Sequence, residues 1–207
     1  STPNPDVIRW LHLVYGHRND APRPALAARL LAEHPALFDG SLFLACARGD
    51  LAPLTAALAC DPSALHRTEA LLPCPCCGVF LDMPPLAAVT LSSLGRLPEF
   101  GALLHACALF LLSSGADPNQ SWHSADCRLS ALYGAAGLNH DPELTALLLQ
   151  YGADPNDNES LYHSLEAPDR ACTRLLLEAG ARVEGCNALH HQLDRDDIEG
   201  LRLLLSY

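Results

Sequence analysis

The chain has 207 residues, 24 of them acidic and 13 basic, for a formal charge of −11 at neutral pH. That balance lacks the basic footprint nucleic-acid binding requires, and no apolar run reaches the ~18 residues of a membrane span. No charged-then-apolar leader is readable at Ser1, so the nine cysteines are expected as thiols of a reducing, cytoplasmic interior and not as a disulfide framework.

In chain order, residues 1–39 read as an N-terminal helical cap. Pro5 and Asp6 open an apolar stripe from Val7 to Tyr15, a polar loop follows from Gly16 to Arg23, and Pro24 stands at the first turn of a second helix reaching Ala32. From Gly40 onward, short apolar segments alternate with longer ones. The short segments begin near Gly40, Pro84, Ser130, Glu159 and Asn187. Three of the longer ones end in near-copies of one phrase, at Leu111 to Asn119, Leu148 to Asn156 and Leu176 to Glu184. Leucines crowd the last helical turn, and Gly115, Gly152 or Gly180 then takes the left-handed position that closes a helix cheaply. The Asp-Pro-Asn that follows Gly-Ala in the first two copies forces a turn. The run Leu103 to Leu112 reads as buried helix, extended back to Leu97 and Pro98. No strand-like alternation of any length is present, so the expected class is all-α with turns. Ile198 to Tyr207 is one more helix that stops before its turn phrase, and the sequence reads equally as a fragment of something longer.

These phrases resemble the ankyrin-repeat family, whose unit opens with T-P-L-H-x-A and closes with L-L-x-x-G-A-D-x-N. The resemblance covers roughly residues 40–207. It implies an ankyrin-repeat solenoid of stacked helix-turn-helix units with long inter-repeat loops. The opening Thr is absent from all five units, and the family's His stands only at His190. Ser130 and Asn187 are expected to cap their helices, Gly40 passably and Glu159 poorly, each lost cap costing ~1 kcal/mol. Unit starts lie 44, 46, 29 and 28 residues apart, against about 33 in the family. The extra length falls in an insertion over 66–83 and in the long turn before Ser130.

Those two turns carry the residues with a chemical look. Cys74, Cys76 and Cys77 put three soft ligands within four residues, and His123 and Cys127 lie in the next turn. Together they would suit tetrahedral Zn²⁺; free thiols or a redox pair are the other readings of the same cysteines. Trp122 at the tip of a turn reads either as a binding anchor or as packing against Phe80 or Leu81. No oxyanion loop, carboxylate pair or phosphate cradle is present, so no catalysis is expected.

The resemblance implies a module that binds another protein across turn tips and short helices. Candidate contacts on the turns are Arg67, Phe80, Asp82, Trp122, His123 and Arg128. Farther along, Asn158, Glu159, His163, Asn187 and His191 join them. Tyr133 and Tyr162, at the family's His position, are expected as half-buried structural groups, and Arg48 is expected near the groove. An acidic array suggests a basic or mixed-charge partner. The alternatives are a targeting domain of a larger enzyme or secreted effector, and a zinc-stabilised regulator. All 13 basic residues are arginine, which fits a GC-rich genome or selection against lysine modification in an effector delivered into a host cytosol.

Overall fold

Proline opens five of the helices, where its missing N–H and fixed φ cost nothing. The computed structural model describes residues 4–16, 20–69, 82–124 and 127–207. Within them the chain is mostly helical, with a small two-stranded sheet. Helix α1 is Pro5–Tyr15 and α2 is Pro24–Glu33. Then follow α3 (Leu42–Arg48), α4 (Leu51–Cys60), α5 (Pro85–Thr90) and α6 (Pro98–Ser113). An antiparallel hairpin, β1 (Ser121–Ser124) with β2 (Cys127–Ser130), precedes α7 (Ala131–Tyr133), which runs on as one π turn, Gly134–Leu138. The chain continues through α8 (Pro142–Gln150), α9 (Ser160–Ser164), α10 (Ala171–Glu178), α11 (Ala188–Asp194) and α12 (Ile198–Leu204).

From α3 onward a short helix is followed each time by a partner in contact with it: α3 with α4, α5 with α6, α7 with α8, α9 with α10 and α11 with α12. Each short helix also touches the next short one, and α4, α6, α8 and α10 touch in the same succession. Neither helix of a pair can bury its apolar face alone, so neighbouring pairs share one core. Leu54, Leu86, Leu111, Leu132, Leu148, Leu165 and Leu176 are sealed in it.

The three phrases behave as their residues dictate. Gly115, Gly152 and Gly180 have φ of +95°, +93° and +93°, the left-handed turn that glycine adopts without penalty. Asp117 and Asp154 then accept from the amides of Asn119 and Asn156, both at 2.9 Å. Each Asn reaches onward: Asn119 Oδ1 accepts from Asp154 N and Asn156 Oδ1 from Arg182 N, both at 2.8 Å. One phrase thus ties down the next.

Helix capping follows expectation at Ser130 and Glu159 and departs from it at Gly40 and Asn187. Gly40 does not cap α3; Ser41 does, its Oγ accepting from Leu44 N at 3.2 Å. Asn187 makes no side-chain cap to α11. Other caps arrive from the following turn. Glu69 Oε1 accepts from Leu42 N and Phe43 N at 2.8 and 3.3 Å, and Gln120 Oε1 from Leu86 N at 2.9 Å. Gln120 Nε2 donates to Leu65 O at 2.9 Å. Ser130 caps α7 through Tyr133 N at 2.9 Å and donates to Asp157, whose other oxygen accepts from Ser160 N at 2.8 Å. Buried N–H groups must find partners, and here residues outside the familiar opening motif supply them.

Three further expectations are corrected. The hairpin replaces turn where no strand was anticipated, because four residues per strand are too few for alternation to register. Leu103 and Leu109 on α6 are 49% and 43% exposed, so that helix shows apolar side chains to solvent. Arg48 is turned inward, donating to Phe38 O and pairing with Asp39 and Asp50 at 3.2 and 2.9 Å. Among the described residues, no helix is long and apolar enough to cross a membrane.

Candidate functional site on the short-helix surface

The short helices are not equally accessible. All six residues of α5 are buried, as are Phe43 to Ala47 of α3. Part of that cover comes from α1. The Tyr15 hydroxyl donates to Ala88 O at 2.7 Å, its ring stacks on Phe43 at 5.8 Å, and Ser93 Oγ donates to Val14 O. Trp10 anchors α1 from behind, donating to Ala27 O at 3.0 Å and lying 4.7 Å from the Phe38 ring.

Among the described residues the contacts of α1 reach α5, and beyond it a row of rings crosses the next three short helices. Tyr133 of α7 lies 5.3 Å from His163 of α9, edge to face. The Tyr162 ring lies 4.5 Å from His163 and 4.3 Å from His191 of α11. Such edge and tilted contacts suit ring quadrupoles. Two carboxylates flank the row. Glu159 Oε2 is 3.3 Å from His163 Nε2, and Glu166 Oε1 is 3.1 Å from His163 Nδ1 and 3.9 Å from His191 Nε2. Both Glu side chains are 36% exposed, His163 27% and His191 15%. The π turn sits beneath. A Cβ at Gly137 would stand 2.7 Å from Tyr133 Cδ2 and 2.9 Å from His163 Cβ, so only glycine lets those rings meet here.

Of the residues singled out from sequence, the structure brings Glu159, His163 and His191 together. The others lie apart. Arg67 pairs with Asp61 at 2.6 Å, and Asp82 is exposed. Trp122 is only 9% exposed and belongs to the core, so its place on the hairpin buries it and does not present it to a partner. His123 is exposed opposite Arg128, which donates to Ser121 Oγ at 2.9 Å and Asn119 O at 3.4 Å. Asn158, with φ of +70°, lines a small cavity of about 150 Å³ shared with Leu161, Arg182 and Cys186. Asn187 is exposed. Phe80, Cys74, Cys76 and Cys77, and the side chain of Cys127, lie outside the described residues, and with them the zinc reading. Among the described residues no group of three or more His, Cys, Asp or Glu could hold a metal.

Sequence reasoning missed Glu166. Its signal was present: Glu159, His163 and Glu166 are spaced i, i+4 and i+7, which places neighbours three and four apart on one helical face. The buried thiols offer no nucleophile. Burial pushes Cys46 well up, Cys107 up to about 12 and Cys172 up to about 11, leaving them protonated at neutral pH. No family model matches the chain, and no curated protein matches it.

Proposed function

We propose that the chain is a protein–protein interaction module of the ankyrin-repeat type, binding its partner on the short-helix surface of α7, α9 and α11. The turn phrases, their Asn-to-amide ties and the succession of helix pairs support that architecture. One observation carries the choice of surface: α5 and the middle of α3 are buried, while the next three short helices hold a partly exposed row of aromatic, imidazole and carboxylate groups. A stack of like units mainly builds a surface. With a formal charge of −11, the preferred partner is basic or of mixed charge. Its association weakens as salt rises.

The test is position-specific photo-cross-linking in the reducing cytosol. A benzoylphenylalanine in place of Tyr162 should trap one partner band, and the same group in place of Leu109, on the exposed edge of α6, should not. Equal trapping at both positions, or trapping at Leu109 alone, would refute the assignment of the surface.

A further inference from the structure

We infer that the side of α11 and α12 turned away from α9 and α10 is the contact through which two copies of this chain pair, tail to tail, about a twofold axis. This goes beyond the interaction reading above and does not depend on it. The residues concerned are those whose matches one helix pair earlier are sealed. Leu193 is 57% exposed where its match at the end of α9, Leu165, is 1% exposed. Leu205 is 69% exposed where Leu177 of α10 is 4% exposed. Ile198 is 62% exposed where the matching Arg170 reaches onward to pair with Asp197 of the next helix pair. Positions covered in one pair and open in the next face onward along the stack. The open side of α11 and α12 therefore continues the stacking surface that α9 presents to α11.

Spacing makes this side continuous. On α12, Ile198, Leu201 and Leu205 stand three and four residues apart, on one helical face, and on α11 Leu189 and Leu193 stand four apart. The other side of α12 is taken up already, because Gly200, Leu203 and Leu204 are buried.

Two features select a second copy as the occupant. The first is charge. Glu199 and Arg202, both exposed, border the apolar stripe of α12 on the same side, three residues apart. When α12 packs antiparallel on its own copy, centred near Leu201, Glu199 of each copy stands beside Arg202 of the other. One pair of side chains is thus used twice, the self-complementarity that an isologous contact requires. The second feature is the character of the N-terminal helices. There α1 shows Asp6 and Arg9, and α2 shows Arg29 paired with Glu33 at 2.8 Å. Such a polar surface does not match the leucines of α11 and α12, so head-to-tail stacking is disfavoured and the contact closes at two copies. The formal charge of −11 per chain opposes approach, but at ~0.15 M salt that repulsion reaches only about 8 Å.

The test is sedimentation velocity of the full chain across the micromolar range. The expected result is a monomer–dimer equilibrium and nothing larger. E199R and R202E each set like charges opposite one another and should weaken the dimer at least tenfold. The swapped double variant E199R/R202E should return it to within threefold of the parent, which separates loss of the contact from misfolding. Leu205→Asp should leave only monomer, with a parent-like circular dichroism melt. A chain that stays monomeric throughout leaves this face to a further helix pair or a different protein, and overturns the inference. So does a dimer that E199R leaves intact, one that the double swap fails to restore, or assembly beyond two copies.

Discussion

Trp122 shows how one residue's place decides its role. Its position in a long turn of the sequence left two readings, an exposed anchor or a packed group, and strand pairing with Leu129 sets it on the face of the hairpin that the core covers. Trp122→Ala is therefore expected to cost about 3–5 kcal/mol of stability, the range for a buried large aromatic, and not to act as a clean binding variant. Urea denaturation would check this; a loss under 1 kcal/mol would return Trp122 to the surface. His163 was legible by contrast, because the residue after the family's His position falls on the open side of a short helix. Glu166 continues the same three-and-four spacing just past the end of α9 at Ser164, outside the opening segment from which His163 was read.

Among the elements, the short helices were legible and their caps were not. Leucine placement and turn phrases set α3, α5, α7, α9 and α11 within a few residues of their starts. The absent threonines suggested weakened helices. Instead, Glu69, Gln120 and Asp157 reach the preceding helix from 27 to 34 residues downstream, a separation no local pattern reveals. Gln120 couples three stretches at once, through Leu65, Leu86 and Ala131. Replacing it with Leu leaves buried backbone groups at Leu65 and Leu86 without partners, which costs about 1–3 kcal/mol each. Asp157→Ala should remove support from α7 and α9 together, by about 1–3 kcal/mol. Chemical denaturation of both variants tests this, and parent-like midpoints would show that the downstream caps contribute nothing. The hairpin escaped notice for the simpler reason that each strand is four residues long.

At the scale of the whole molecule, the resemblance of the phrases to a repeat family anticipated a succession of helix pairs but not the closing of its first short helices by α1. That cover depends on Tyr15 and Ser93, whose bonds span 73 and 79 residues. The shared core also gives the molecule an alkaline limit. The Cys46, Cys107 and Cys172 thiols are raised by burial above the ordinary 9.0, so the folded chain keeps protons that the unfolded chain releases. Stability is then full below about pH 9 and falls as pH rises, by about 1.4 kcal/mol per pH unit for each thiol. Urea midpoints measured from pH 8 to 10.5 should decline, and Cys107→Ala should shallow the slope; a flat profile would contradict the burial of these thiols.

Hydrogen exchange of the chain with and without the partner trapped at position 162 tests the assigned surface most directly. Binding there predicts added protection in α9, in the turn holding Glu166 and in α11, with α4 and α6 unchanged. Protection confined to α4 and α6, or none in α9 and α11, would contradict it.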